Sequence, residues 1–246
     1  MSVIVQELIW FKYMFRSFYA QVCHSLISDV TIESTVKCSS DYEGWDDVGK
    51  IFCLMGKSSS GKDTISKKLL QDKQLNLKSI IPYTTRPIRH NEVQGFDYHF
   101  VSEELLAHYR EMGKIIEQRD YYTINGKWSY CTIDDGQINL TQDNNYLLIA
   151  TLESYENLQN YFATSDVIPL YIEVDDGVRL LRAIEREKQQ AQPNYEELCR
   201  RFLADSNDFS KQKLEDLEVT KFYPNENINQ CINRIKTDIL QVIHKS

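Results

Sequence analysis

Nine consecutive residues, Gly56-Lys57-Ser58-Ser59-Ser60-Gly61-Lys62-Asp63-Thr64, constrain this chain more than anything else in it. They follow the apolar run Ile51-Phe52-Cys53-Leu54-Met55 and precede residues 65–70, whose spacing opens an amphipathic helix. Strand, glycine-bounded loop and helix in that order read as a phosphate-binding loop. The glycines let the chain curl so that successive backbone N–H groups and the helix N-terminus converge on an anion. Lys62 adds a mobile positive charge for the outer phosphates. Such loops carry Ser or Thr directly after the lysine; here that place holds Asp63, with Thr64 one residue later. A Gly/Ser-rich loop that merely caps a helix is the competing reading.

The rest of the chain alternates in a way that suits this loop. Apolar runs at residues 51–55, 79–83, 146–151, 168–174 and 219–223 are separated by helically spaced stretches at 64–71, 152–162, 177–189 and 195–209. Residues 228–244 close the chain as an amphipathic helix. This pattern predicts an α/β fold, a parallel sheet of about five strands flanked by helices. Between the second and third runs lies a long insertion, about residues 84–145. Its Asn125-Gly126 pair between aromatic runs predicts a tight hairpin. Ser102, followed by Glu103 and Glu104, suits a helix N-cap with acids at the positive helix end.

Composition narrows the function classes. With 28 basic and 36 acidic residues the net charge is −8, which argues against broad nucleic-acid binding and requires any positive site to be local. Six scattered cysteines, without close pairs, read as reduced cytosolic thiols rather than a disulfide framework or a zinc site. Residues 3–27 are rich in large apolar side chains, but Glu7, Lys12 and Arg16 leave no uninterrupted run of about 18 apolar residues for a membrane span. There is no basic region ahead of a clean apolar segment, so no secretory signal is expected. A helix packed on the domain or on a second copy through residues 1–27 is favoured over a membrane-surface helix, with residues 28–47 as a linker. The expected division is an extension at 1–48 and one domain at 49–246.

The insertion opens with Thr84-Thr85-Arg86-Pro87-Ile88-Arg89 and continues through Glu92, Gly95 and Tyr98. Two arginines three apart can clamp a monophosphate in a bidentate manner that a lysine pair cannot match. Together with the loop upstream, this segment resembles the guanylate kinase family over roughly residues 50–245. The resemblance implies ATP and GMP as substrates, Mg²⁺ as cofactor, a monophosphate-binding insertion and a helical lid at about 177–206.

Residue by residue, the resemblance assigns Arg86, Arg89, Tyr98 and Tyr130 to the GMP phosphate, with Glu92 orienting an arginine. Glu117 falls on the carboxylate that reads guanine, a pairing that suits its two adjacent N–H donors and not adenine. Thr132 in Tyr130-Cys131-Thr132 is the second base contact. Gly56, Ser58, Ser59, Ser60, Gly61, Lys62, Asp63 and Thr64 hold the triphosphate. Arg182, Arg186 and Arg201 resemble the lid arginines, with Lys62, Arg182 and Arg201 as the catalytic cations, and Asn225 lies near the adenine. Arg182 and Arg186 paired with acids on a solvated helix is the plainer alternative.

The departures carry information too. The family serine at the guanine oxygen falls at Pro82, and two aspartates at the end of the third core strand fall at Ala150 and Leu152, with Glu153 the nearest acid. Asp63 stands where the loop hydroxyl meets Mg²⁺, and a carboxylate is the stronger ligand. The expected activity is ATP-dependent phosphorylation of a nucleoside monophosphate, GMP first. The rival readings are a phosphate-loop kinase with another acceptor, or a related interaction module without turnover.

Overall fold

The computed structural model describes residues 49–89, 92–123, 126–142 and 144–244. The expectations for the extension at 1–48, including self-association through 1–27, lie outside the described residues.

The central sheet starts from β1 (Ile51–Met55), all five residues of which are buried. Alternate side chains leave a strand on opposite faces. Accordingly Ile51, Cys53 and Met55 enter one apolar cluster while Phe52 and Leu54 enter the other. β1 is flanked by β7 (Tyr146–Ile149) and β8 (Val167–Glu173), then by β2 (Lys78–Ser79) and β9 (Phe222–Pro224) at the edges. The order β2-β7-β1-β8-β9 is parallel at every pairing, as the alternating pattern predicts.

On one face, α1 (Lys62–Gln71) contributes Ile65 and Leu69, and the α7 helix (Ile228–Ile243) contributes Cys231, Ile235 and Ile239, each at most 1 % exposed. On the other, Leu152, Tyr155 and Leu158 of α3 (Leu152–Tyr161) pack with Phe209 and with Leu214 of α6 (Lys211–Asp216). Close packing sets the entry to β1, where a Cβ on Gly49 would meet the Asn144 carbonyl oxygen at 2.0 Å. The adjacent Lys50 pairs with buried Asp166 at 2.9 Å.

The second apolar run does not form one strand. Ile80 donates its N–H to Leu147 on the core sheet, and Ile81 gives its own to the Gln137 side chain. Pro82 has no N–H to continue the ladder, and its carbonyl accepts from His99 instead. The chain therefore leaves the core sheet there. β3 (Tyr83–Thr84) joins a second sheet of order β4-β3-β6-β5, with β4 at His99–Phe100, β5 at Ile115–Thr123 and β6 at Gly126–Ile133. β5 and β6 form the expected hairpin, closing at Thr123 opposite Gly126. Helix α2 (Glu103–Glu111) packs Leu106 into this sheet, and its N-cap Ser102 accepts from Leu105 N–H as the sequence predicts.

The last strand also differs from its run. It starts at Phe222, because Glu218 turns the chain at φ 53° and Val219 is spent in the core. Two further helices, α4 (Asp176–Lys188) and α5 (Tyr195–Asp208), cover the segment expected to be the lid and are capped by the Asp175 and Asn194 side chains.

Candidate active site

The phosphate loop sits at the carboxyl end of β1, between the sheet and α1. Its curl depends on residues in the left-handed region: Gly56 at φ 146°, Ser59 at φ 61° and Gly61 at φ 92°. A Cβ on Gly56 would lie 2.6 Å from the Ile172 carbonyl oxygen, and one on Gly61 would lie 2.7 Å from Asn225 Nδ2. Both positions therefore need glycine for space as well as for dihedral angle. No side chain caps the N-terminus of α1, which leaves its first N–H groups for an anion.

Lys62 folds back over the loop, donating to the carbonyls of Gly56 at 2.6 Å and Lys57 at 3.0 Å. Burial pushes its pKa down to about 8, opposed by the nearby Asp63 and Asp205 carboxylates. A half-buried ammonium resting on carbonyls can exchange them for phosphate oxygens. Asn225 donates from Nδ2 to the Ser60 carbonyl at 2.8 Å, which ties the end of β9 to the loop. Of the four buried side-chain polar atoms that lack a hydrogen-bond partner among the described residues, Ser59 Oγ, Ser60 Oγ and Asn225 Oδ1 lie around this loop, and the fourth is Asp166 Oδ2. Asp63 and Thr64 are exposed in the first turn of α1. One carboxylate beside a triphosphate site fits Mg²⁺, which takes one or two carboxylates plus phosphate oxygens and water. Among the described residues no group of three or more His, Cys, Asp or Glu side chains offers an alternative metal site.

Two cavities border the loop. One, of about 220 Å³, is lined by Ser58, Ser59, Arg186 and Arg201, so it joins the loop to arginines of α4 and α5. The other, of about 680 Å³, is lined by Asn225, Pro224, Val174 and Arg182. Arg182 Nη2 reaches the Asn225 carbonyl at 3.5 Å. Arg201 is drawn aside by Glu197, whose Oε1 accepts from its Nε at 2.6 Å. Glu197 also pairs with Arg200, and the two guanidinium groups hold its pKa down to about 2.

On the acceptor side, Arg86 is buried, its side chain 3 % exposed, and forms a two-pronged pair with Glu92 at 2.5 and 2.7 Å. Its Nε donates to Tyr130 Oη at 3.0 Å, and its guanidinium lies 4.9 Å from the Tyr98 ring and 5.3 Å from Phe100. Arg89 is exposed, with its backbone N–H on Glu92. The structure thus gathers Arg86, Glu92, Tyr98 and Tyr130 into one cluster with Arg89 at its rim. Glu117 and Thr132 meet across the hairpin, the hydroxyl donating to Oε1 at 2.9 Å.

Several residues around these sites were not legible from motifs. Arg119, two places along β5 from Glu117, donates from Nε to Glu117 Oε2 at 3.1 Å and reaches Thr151 Oγ1 at 3.4 Å. Ser154 donates to the same Glu117 oxygen at 3.2 Å. The i, i+2 spacing on a strand places residues on one face, and this was the only signal available for Arg119. Ala150 and Leu152 are buried, at 5 % and 4 % exposure. A cavity of about 480 Å³ lies beside them, lined by Arg119, Thr151, Leu152 and Glu153.

A family model described as guanylate kinase matches residues 48–239. Among curated proteins, the guanylate kinase of Mesomycoplasma hyopneumoniae strain 7448 is 25% identical over 213 residues, 81% of this chain and 98% of that protein. The guanylate kinase of Mycoplasma mobile is 45% identical over 69 residues, which span 28% of this chain and only 34% of the relative. Among solved structures, guanylate kinase from Anaplasma phagocytophilum superposes with TM-score 0.52 at 23% identity, covering 79% of this chain and 86% of that one, which establishes the common fold.

Proposed function

The chain belongs to the guanylate kinase family, and from that premise we infer that it transfers the terminal phosphoryl group of ATP to GMP. The observation that carries this reading is Lys62 folded over an uncapped phosphate loop whose Ser58 and Ser59 line one cavity together with Arg186 and Arg201. An interaction module without turnover has no use for that arrangement. Lys62 and the loop amides bind the donor phosphates, and Asn225 with Arg182 borders the nucleoside. Arg86 and Arg89 hold the acceptor phosphate, with Glu92 and Tyr130 fixing the Arg86 guanidinium and Tyr98 packing beneath it. Glu117 and Thr132 read the base.

The acceptor phosphate is already anionic, so no covalent protein nucleophile is needed. Catalysis is alignment and charge neutralisation around a loose phosphoryl transition state. Asp63 would hold Mg²⁺ beside the donor phosphates, and the ion would supply charge neutralisation there. Release of Arg201 from Glu197 would free its guanidinium to join Arg186 at the 220 Å³ cavity, with Arg182 bordering the neighbouring one, so that lid closure neutralises the transferring group and excludes water.

One specific feature favours a second acceptor. Glu117 Oε2 already accepts from both Arg119 and Ser154, while Oε1 accepts only from Thr132, so a guanine that uses both oxygens must displace one of the two donors on Oε2. An ADP-release assay with ATP, Mg²⁺ and a panel of purine and pyrimidine monophosphates tests the reading. GMP as the best acceptor upholds it, and another base as the best acceptor replaces it. Among the described residues no helix is long and apolar enough to cross a membrane. A cytoplasmic location is part of the proposal, supported by free thiols at Cys53, Cys131, Cys199 and Cys231.

A further inference from the structure

The two lid helices grip the phosphate loop through an ionic cluster, centred on buried Arg179, that the reading above does not use. Arg179 of α4 is 1 % exposed. Its Nη1 donates to the Ser58 carbonyl at 3.0 Å and to Asp205 Oδ2 at 3.2 Å, while Nη2 donates to Asp176 Oδ1 at 2.7 Å. Asp205 of α5 accepts from the Ser58 N–H at 2.8 Å on Oδ2 and from the Ser58 hydroxyl at 3.1 Å on Oδ1. The carbonyl, the N–H and the hydroxyl of Ser58 are thus all held by the lid. The Arg179 guanidinium lies 4.7 Å from the Phe202 ring, and Lys57 closes the cluster through Asp176 at 3.2 Å.

Burying an arginine costs more than burying an apolar side chain of its size, and a buried ion pair is seldom retained for stability alone. What this pair adds is direction. It fixes the peptide planes on both sides of Ser58, immediately before Ser59 enters the left-handed region at φ 61°, and so sets the curl that aims the loop amides. Because one cation and one anion contact Ser58, the pair does this without adding net charge where the phosphates bind.

We propose that Arg179 and Asp205 are positioning residues for the donor nucleotide: they lock Ser58 to the lid helices, so that triphosphate affinity depends on them and acceptor affinity does not. The proposal rests on the assignment of the loop as the donor site.

The test compares the full-length wild type with Asp205→Asn, Arg179→Met and the double variant Arg179→Met/Asp205→Leu. Thermal unfolding, calorimetric Kd for ATP and for GMP, and KM for each are measured. The single variants are expected to weaken ATP binding about tenfold or more, with GMP binding within about twofold. The double variant removes both buried charges, so its thermal stability should return toward wild type while its ATP affinity stays low. Recovery of ATP affinity together with stability would mean that the pair only holds the lid in place, and would overturn the proposal. Equal losses for ATP and GMP would overturn it as well. A wild type that binds both nucleotides but transfers no phosphate defeats the kinase reading and leaves the Kd comparison decisive. A wild type that binds no ATP overturns both.

Discussion

At the scale of single residues, the lysine of the loop has a pH signature. Burial holds Lys62 near 8 against an unperturbed 10.5. Between those values the unfolded chain carries one more proton than the native protein, so ligand-free stability gains from this group as pH rises from about 8 toward 10.5. Phosphate oxygens favour the charged ammonium. ATP binding at about pH 9 should therefore take up close to one proton, and KM for ATP should climb as pH passes through about 8. Calorimetry in two buffers of different ionisation heat reads the uptake, which Lys62→Ala should abolish along with a turnover contribution of about 2.7–4 kcal/mol. Proton exchange unchanged by that substitution would remove Lys62 from the phosphate site. Glu117→Gln should cost GMP about 1–3 kcal/mol in kcat/KM and AMP much less, because an amide turns a donor toward guanine's own N–H groups. Equal losses for the two acceptors would take Glu117 out of the base site. Asp63→Ser separates metal binding from helix capping. A large rise in the Mg²⁺ needed for turnover supports ligation, whereas a stability loss of about 0.3–1 kcal/mol with unchanged Mg²⁺ dependence leaves only the charge–dipole role.

At the scale of elements, the phosphate loop and the start of α1 work as one piece because their glycines are sterically required. Gly61→Ala and Gly136→Ala both force a Cβ into the left-handed region, at φ 92° and φ 90°, a strain of roughly 1–2 kcal/mol each. Only the first also meets a neighbour, Asn225 Nδ2 at 2.7 Å; a Cβ on Gly136 has nothing within 4 Å. A larger loss of thermal stability is expected from Gly61→Ala than from Gly136→Ala, with KM for ATP raised in Gly61→Ala alone. A raised KM in both would show that strain by itself, not displacement of Asn225, disturbs the site. The lid helices enter the same unit from outside: α4 and α5 show the cavity their arginines and reach the loop backbone through Arg179 and Asp205.

For the whole molecule, the catalytic domain should function without the apolar N-terminal segment. The family match starts at residue 48, β1 starts at Ile51, and Gly49 and Lys50 are already tied down by Leu140 and Asp166. A chain beginning at Asp47 is expected to bind both nucleotides and turn over, with association or solubility the property most open to change. Loss of binding for both nucleotides in a variant that remains folded would assign the extension to the site.

Local chemistry decided what the sequence could announce. The loop is legible because its glycines, lysine and flanking apolar run are contiguous, and the Ser102 cap because its partner is three residues away. The alternation of β1 between two clusters follows from its unbroken apolar run. Arg86, Arg89, Glu92 and Tyr98 are legible for the same reason, lying within thirteen residues of one another. The tertiary structure alone decided the strand order, the departure of the chain from the core sheet at Pro82, and the three donors gathered on Glu117. It also decided that Arg179 and Asp205 meet Ser58 across separations of 121 and 147 residues. A side chain's propensity and its neighbours in sequence carry no record of which distant carbonyl or carboxylate will satisfy it. That partner is chosen when the sheet and its helices pack, since a buried charge is tolerated only where packing brings it a counterpart.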